Sequence, residues 1–140
     1  MGIIYAEQVD YLEVESMQET HEREIAILNE VDKLAVTYEL KKEGLEALQS
    51  KLEEYIEHVT EHFASEERLM LEHNYPEYEM HKMAHDMFLA DLEYSAGPWR
   101  RSGDMKKIIY FIRKTPEWLV MHVNSVDTPA ANFLARKMSV

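Results

Sequence analysis

Residues 45–72 read LEALQSKLEEYIEHVTEHFASEERLMLE. Leu45, Leu48, Leu52, Tyr55, Val59, His62, Glu66 and Leu69 recur at alternating steps of three and four. That spacing lays one stripe along a helix of 3.6 residues per turn, the seam of a packed bundle helix. His62 and Glu66 stand on the seam where apolar residues are expected. A seam needs partners, so further amphipathic helices should flank this one.

They are legible on both sides. A helix over about 17–38 carries His21, Ile25, Leu28, Asp32 and Ala35 on one stripe. Another over about 77–94 carries His81, Ala84 or His85, Phe88 and Leu92, and Pro76 suits its first turn. A fourth over about 104–127 carries Met105, Ile108, Ile112, Thr115, Leu119, His122 and Val126, with a kink expected at Pro116. Breaks are expected around Gly44, at Asn74–Pro76 and over Ser95–Asp104. Residues 1–16 read as an irregular arm whose Ile3, Ile4, Tyr5 and Leu12 cover one end or side of the bundle. Thr128-Pro129 stops the fourth helix or starts a short final one, Pro129 to Arg136. The predicted fold is all-α, one domain over 1–140. It is an up-down-up-down antiparallel four-helix bundle with an irregular N-terminal arm and a short C-terminal helix.

Composition narrows the function. The chain is 46% hydrophobic and 30% charged, the balance of a globular protein. It has no cysteine, which excludes disulfides, thiolate metal ligands and a cysteine nucleophile. No apolar run approaches the ~18 residues of a membrane span. Residues Met1 to Asp10 lack the features of a secretion signal, so a cytoplasmic location is expected. A formal charge of −12 repels phosphate backbones and argues against a nucleic-acid partner. No protein partner can be read from the sequence.

The polar residues on the core stripes form a pattern of their own. They are His21, His62-x-x-x-Glu66, His81-x-x-x-His85 and His122-x-x-x-x-Asp127, with each helix contributing inward. Residues four apart project from one side of a helix and can grip one metal or two neighbouring ones. The five-residue step to Asp127 would leave it about 140° from His122 on a straight helix, so a distorted or π-type turn is expected there. Burying five imidazoles and two carboxylates without metal carries a heavy desolvation cost. Five nitrogens and two carboxylates are too many donors for one ion. Two ions bridged by both carboxylates, with the histidines split three and two and a bridging oxygen added, use them all. One ion is then full and the other keeps an open position. Imidazole and carboxylate donors suit iron, with zinc, manganese and copper less well excluded.

The same set, with His62-Phe63-x-x-Glu66-Glu67, Met70, Tyr75-Pro76 and Trp118-Leu119, resembles the hemerythrin family in its single-domain bacterial form, bacteriohemerythrin. The resemblance implies two iron ions with a bridging oxo or hydroxo group that bind dioxygen reversibly, for storage, delivery or sensing. It assigns His81, His85 and His122 to the full iron, His21 and His62 to the open one, and Glu66 and Asp127 to the bridge. No catalytic residue is implied. A di-iron redox enzyme (oxidase, peroxidase or nitric-oxide handling) is the alternative. His58, one turn before His62, is expected near the centre or on the flank of the seam. Ile25, Leu28, Val59 and Trp118 are the other expected pocket residues. Met70, Met80, Met83, Met87 and Met121 are expected as core filler.

Overall fold

The computed structural model describes residues 2–139. After a short 3-10 turn at Ala6–Gln8 come α1 (Glu15–Lys41), α2 (Leu45–Glu72), α3 (Tyr78–Ser102) and α4 (Lys106–His122). A π-helical turn, Val123–Asp127, leads into α5 (Thr128–Met138). The short loops force consecutive helices to run antiparallel. α1 packs on α2, α2 on α3 and α3 on α4, and α4 closes onto α1. Among the described residues there is no strand.

The seam of α2 is buried as its spacing requires, with Leu48, Leu52, Tyr55, Val59, His62 and Glu66 all inside. Leu45, at the first turn, is exposed. On α1, Asp32 faces the flank, where its carboxylate accepts from Arg113 Nε at 2.9 Å. Arg113 also donates to both oxygens of Glu39, at 2.8 and 3.0 Å, tying α4 to α1.

Two expectations need correction. α3 does not break over Ser95–Asp104 but runs through Gly97-Pro98 to Ser102. Pro98 forfeits one backbone bond, yet Ala96 and Trp99 are buried and hold that turn to the core. The chain reverses only at Gly103, whose φ of 77° suits a residue without Cβ. Pro116 lies inside α4, which continues in phase through it as its stripe implied, with Ile112, Thr115 and Leu119 all buried. Of the five methionines expected in the core, only Met70 is buried; Met80, Met83, Met87 and Met121 are exposed.

The arm is pinned at both ends. Asn29 Oδ1 accepts from the backbone of Ile3 (2.8 Å) and Ile4 (3.1 Å), and its amide donates to Ile4 carbonyl at 2.8 Å. Ile4 and Leu12 are fully buried, while Tyr5 is exposed. Further on, Asp10 N–H donates to Asn124 Oδ1 at 2.8 Å, and Thr128 Oγ1 donates to Asp10 Oδ2 at 2.9 Å. The arm therefore braces the π turn. α5 is longer than the expected Pro129–Arg136 and begins at Thr128.

Candidate metal centre

Each long helix sends side chains to one point in the bundle. α1 supplies His21, α2 supplies His62 and Glu66, α3 supplies His81 and His85, and α4 with its π turn supplies His122 and Asp127. The i, i+4 pairs on α2 and α3 reach the point from one face, as helical geometry requires. His122 and Asp127 do so because the turn between them is π-helical. The extra residue in that turn buries Val123 and Asp127 and leaves Val126, expected on the stripe, only partly buried. Thr128 Oγ1 also lies 3.0 Å from the Val123 carbonyl, so that its one proton is shared between that oxygen and Asp10 Oδ2.

The four carboxylate oxygens sort the five imidazoles into two sets. Glu66 Oε2 lies 2.7 Å from His62 Nε2 and 3.4 Å from His21 Nε2, and Asp127 Oδ2 lies 3.1 Å from His21 Nε2. On the other side, Glu66 Oε1 lies 3.3 Å from His85 Nε2 and 3.4 Å from His81 Nε2. Asp127 Oδ1 lies 2.9 Å from His81 Nε2 and 3.1 Å from His122 Nε2. Each carboxylate thus turns one oxygen to each set, {His21, His62} and {His81, His85, His122}.

The donor atoms fit a cation. The Nε2 atoms of His21, His81, His85 and His122, Glu66 Oε1 and both Asp127 oxygens are buried without an aligned hydrogen bond. One such orphan costs about 1–3 kcal/mol. Seven converging on one point need a positive charge among them. His81, His85, His122 and Asp127 form one cluster with metal-binding geometry, and His21, His62 and Glu66 form a second.

Electrostatics points the same way. Burial by itself would lower the pKa of His21, but Asp127 and Glu66 outweigh it and raise it to about 9. His81 is also raised to about 9, burial again opposing and the same carboxylates prevailing. Burial would push Glu66 and Asp127 up, yet the surrounding imidazoles hold both well below the usual carboxylate range. The pocket favours anionic oxygens with positive charge between them.

The sequence pattern of the Hemerythrin HHE cation binding domain matches residues 12–128, a span that runs from before His21 to just beyond Asp127. The chain belongs to the hemerythrin HHE cation binding domain family. It is 28% identical over 120 residues to the bacteriohemerythrin of Aquifex aeolicus (strain VF5), covering 84% of this chain and 87% of the relative. It is 37% identical over 73 residues to a hemerythrin subunit of Sipunculus nudus, covering 52% of this chain and 55% of that one. No solved structure matches the chain at a significant level.

Around this hemerythrin-type pocket the remaining expected residues divide. Leu28 and Val59 are fully buried and Ile25 nearly so. Trp118 stacks on His122, with ring centroids 4.3 Å apart, and so belongs to the three-histidine side. His58 is half-buried on the flank of α2, its ring centroid 6.1 Å from that of His62.

Two carboxylates behind the histidines were not foreseen. Glu24, 1% exposed, accepts from His62 Nδ1 at 2.6 Å. Glu67 Oε2 accepts from His85 Nδ1 at 2.9 Å. A carboxylate behind a metal-binding imidazole fixes its orientation and makes it a stronger donor. The signal for Glu24 was its place three residues after His21, on the same helical face.

Proposed function

We propose that His21, His62, Glu66, His81, His85, His122 and Asp127 hold two iron ions bridged by an oxo or hydroxo group. We infer that the protein binds dioxygen reversibly, for storage, delivery or sensing, and that it is a binding protein rather than an enzyme. The observation that carries this reading is the sorting of Glu66 and Asp127 oxygens between two and three imidazoles. Such sorting suits two ions bridged by both carboxylates, one with three histidines and the other with two. His21 and His62, being two donors rather than three, would leave room beside them for a small ligand. A pair of iron ions supplies the electrons that let dioxygen bind and leave.

The protein's own residues set the conditions. Phe63 stacks on His85 at 3.9 Å and Trp118 on His122 at 4.3 Å, so aromatic rings exclude water from the three-histidine side. Leu28 and Val59, both fully buried, keep the interior apolar, which suits an uncharged diatomic ligand. Neutral imidazoles outnumber carboxylates five to two among the seven residues. That limits the negative charge at the irons and favours reversible binding over oxygenation. These roles rest on family membership and on the metal-binding geometry of the two clusters.

One observation favours a second reading. The buried Glu24 carboxylate on His62 strengthens that imidazole as a donor and stabilises the oxidised centre, as a redox enzyme would use. One experiment separates the two. The iron-loaded protein is reduced, given dioxygen and followed by visible absorption through cycles of removal and readdition. An absorption band that appears and disappears with dioxygen is the expected result. One-way oxidation on the first addition, with turnover of peroxide or nitric oxide, would overturn the carrier and favour the redox enzyme.

A further inference from the structure

A second cluster of donors lies outside the seven residues. Glu24, His58 and His62 each offer an atom within 4.8 Å of the others. His62 Nδ1 is taken by Glu24 Oε1, which leaves Glu24 Oε2 and His58 Nε2 as the free donors. Both are buried atoms without a hydrogen-bond partner, and the Tyr55 hydroxyl is a third such atom one turn earlier on α2. Glu24 itself is 1% exposed. Glu24 Oε1 and His58 Nε2 stand 3.9 Å apart, too far for a hydrogen bond and close enough for one ion to touch both side chains. Burial pushes the pKa of His58 down, although the Glu24 charge opposes it.

The cluster opens outward. His58 and His62 line the floor of a groove of about 560 Å³ between α1 and α2. Glu53, Glu54, Glu57 and Glu61 line it too, with Arg23 as their single lining counter-ion of the Lys/Arg type. Exposed pairs with Arg100, Lys51 and Arg68 engage three of the four glutamates, but such pairs neutralise little of their field. Glu57 has no ion-pair partner among the described residues. The groove therefore runs from an acidic rim to His58 and the His62 imidazole, and Glu24 lies buried behind them.

We propose that Glu24 and His58 form an outer divalent-cation site, where ferrous iron is held on its way to the seven-residue centre. The proposal rests on the reading that those seven residues bind iron. Two protein donors completed by water make a weak site with fast exchange, which suits transfer rather than storage. A nitrogen and a carboxylate oxygen without sulfur suit ferrous iron or manganese.

His58→Ala tests it, because His58 is not one of the seven residues and its ring centroid stands 6.1 Å from that of His62. Iron content is measured first on the intact chain filled under reducing conditions. Mn(II) is then titrated in and its free fraction read by magnetic resonance. The wild type is expected to bind one further cation, and His58→Ala none, at equal iron content and melting temperature. From dilute Fe(II) at low salt, His58→Ala should fill its centre at least about threefold more slowly. No further Mn(II) in the wild type, equal Mn(II) in His58→Ala, or equal filling rates would each overturn the outer site. Wild-type iron content that stays far below two per chain, read before Mn(II) is added, would overturn the inner centre and the outer site with it.

Discussion

The two sides of the pocket are built from the same residue types and finished differently. On the three-histidine side, Phe63 and Trp118 stack flat on His85 and His122, and Phe88 packs on Trp118 at 4.3 Å. The two-histidine side has a polar back. There Glu24 is buried behind His62, and the groove of α1 and α2 reaches His58. Both sides place a carboxylate behind one imidazole, but Glu67 is partly exposed with Lys82 Nζ 4.0 Å away, while Glu24 is sealed. One side is thus packed for rigidity and the other left polar for exchange. The bridge that joins them should matter most to either.

Glu66 is the residue both sides share. Glu66→Ala removes an oxygen from each set, so that His62 keeps only Glu24 and His81 only Asp127 as a carboxylate partner. We expect loss of iron binding and a metal-free protein less stable by about 3–5 kcal/mol, read by metal analysis and denaturant titration. Retention of full iron content would break the bridging role. Phe63→Ala attacks chiefly the three-histidine side, where its ring lies flat on His85, although it also meets His62 at a tilt. It should cost about 3–5 kcal/mol by denaturant titration, as loss of a buried aromatic ring does, while some iron is still taken up. A cost below that of a surface substitution would show that the stacked wall is not what stiffens the three-histidine side.

The pH response of the metal-free chain checks both sides at once. His21 and His81 are raised from 6.5 to about 9, so their contribution to stability is full below 6.5 and is lost as pH rises through 9. Glu66 and Asp127 are depressed, so theirs is present above the ordinary values of 4.5 and 3.8 and lost as pH falls. The metal-free protein should therefore melt highest between about pH 4.5 and 6.5 and lower at pH 9. Metal uptake should show the opposite slope, tightening over the same rise in pH, because imidazoles must shed protons to bind. Proton release on metal addition at pH 7.5, read with a dilute indicator, measures this directly. Uptake without proton release would mean that His21 and His81 are not protonated before the ion arrives.

Most of the centre could be read from the chain because polar residues on an apolar seam stand out. His62 and Glu66 interrupt a regular run of Leu, Tyr and Val, and His81 and His85 repeat the step on α3. Even the π turn was legible, since only a wider turn brings Asp127 round to His122. Glu24 was not, because α1 is dense with acids and one buried glutamate looks like its solvated neighbours Glu19 and Glu22. The run of α3 through Gly97-Pro98 was missed because local propensity predicts a stop there and the burial of Ala96 and Trp99 overrides it. Met80, Met83 and Met87 are apolar by type, but they fall on the face of α3 opposite His81 and His85, where no partner helix lies. Residue type indicated burial; position on the helix decided it.

The smallest expected effect isolates the difference between the sides. Glu24→Gln and Glu67→Gln each replace a charged acceptor by a neutral one of the same shape, so either should change stability by about 1 kcal/mol. Their effects on the loaded centre should not match. The Glu24 bond to His62 is 2.6 Å long and buried, where a charge acts through low dielectric. The Glu67 bond to His85 is 2.9 Å long, and solvent and Lys82 screen its charge. Glu24→Gln should therefore make His62 a weaker donor, raise the reduction potential, and slow autoxidation on the order of tenfold. Glu67→Gln should shift the potential in the same direction by clearly less. Equal shifts in the two variants, measured by potentiometric titration, would mean that burial does not distinguish these carboxylates. The polar back of the two-histidine side would then be a feature of packing rather than of redox control.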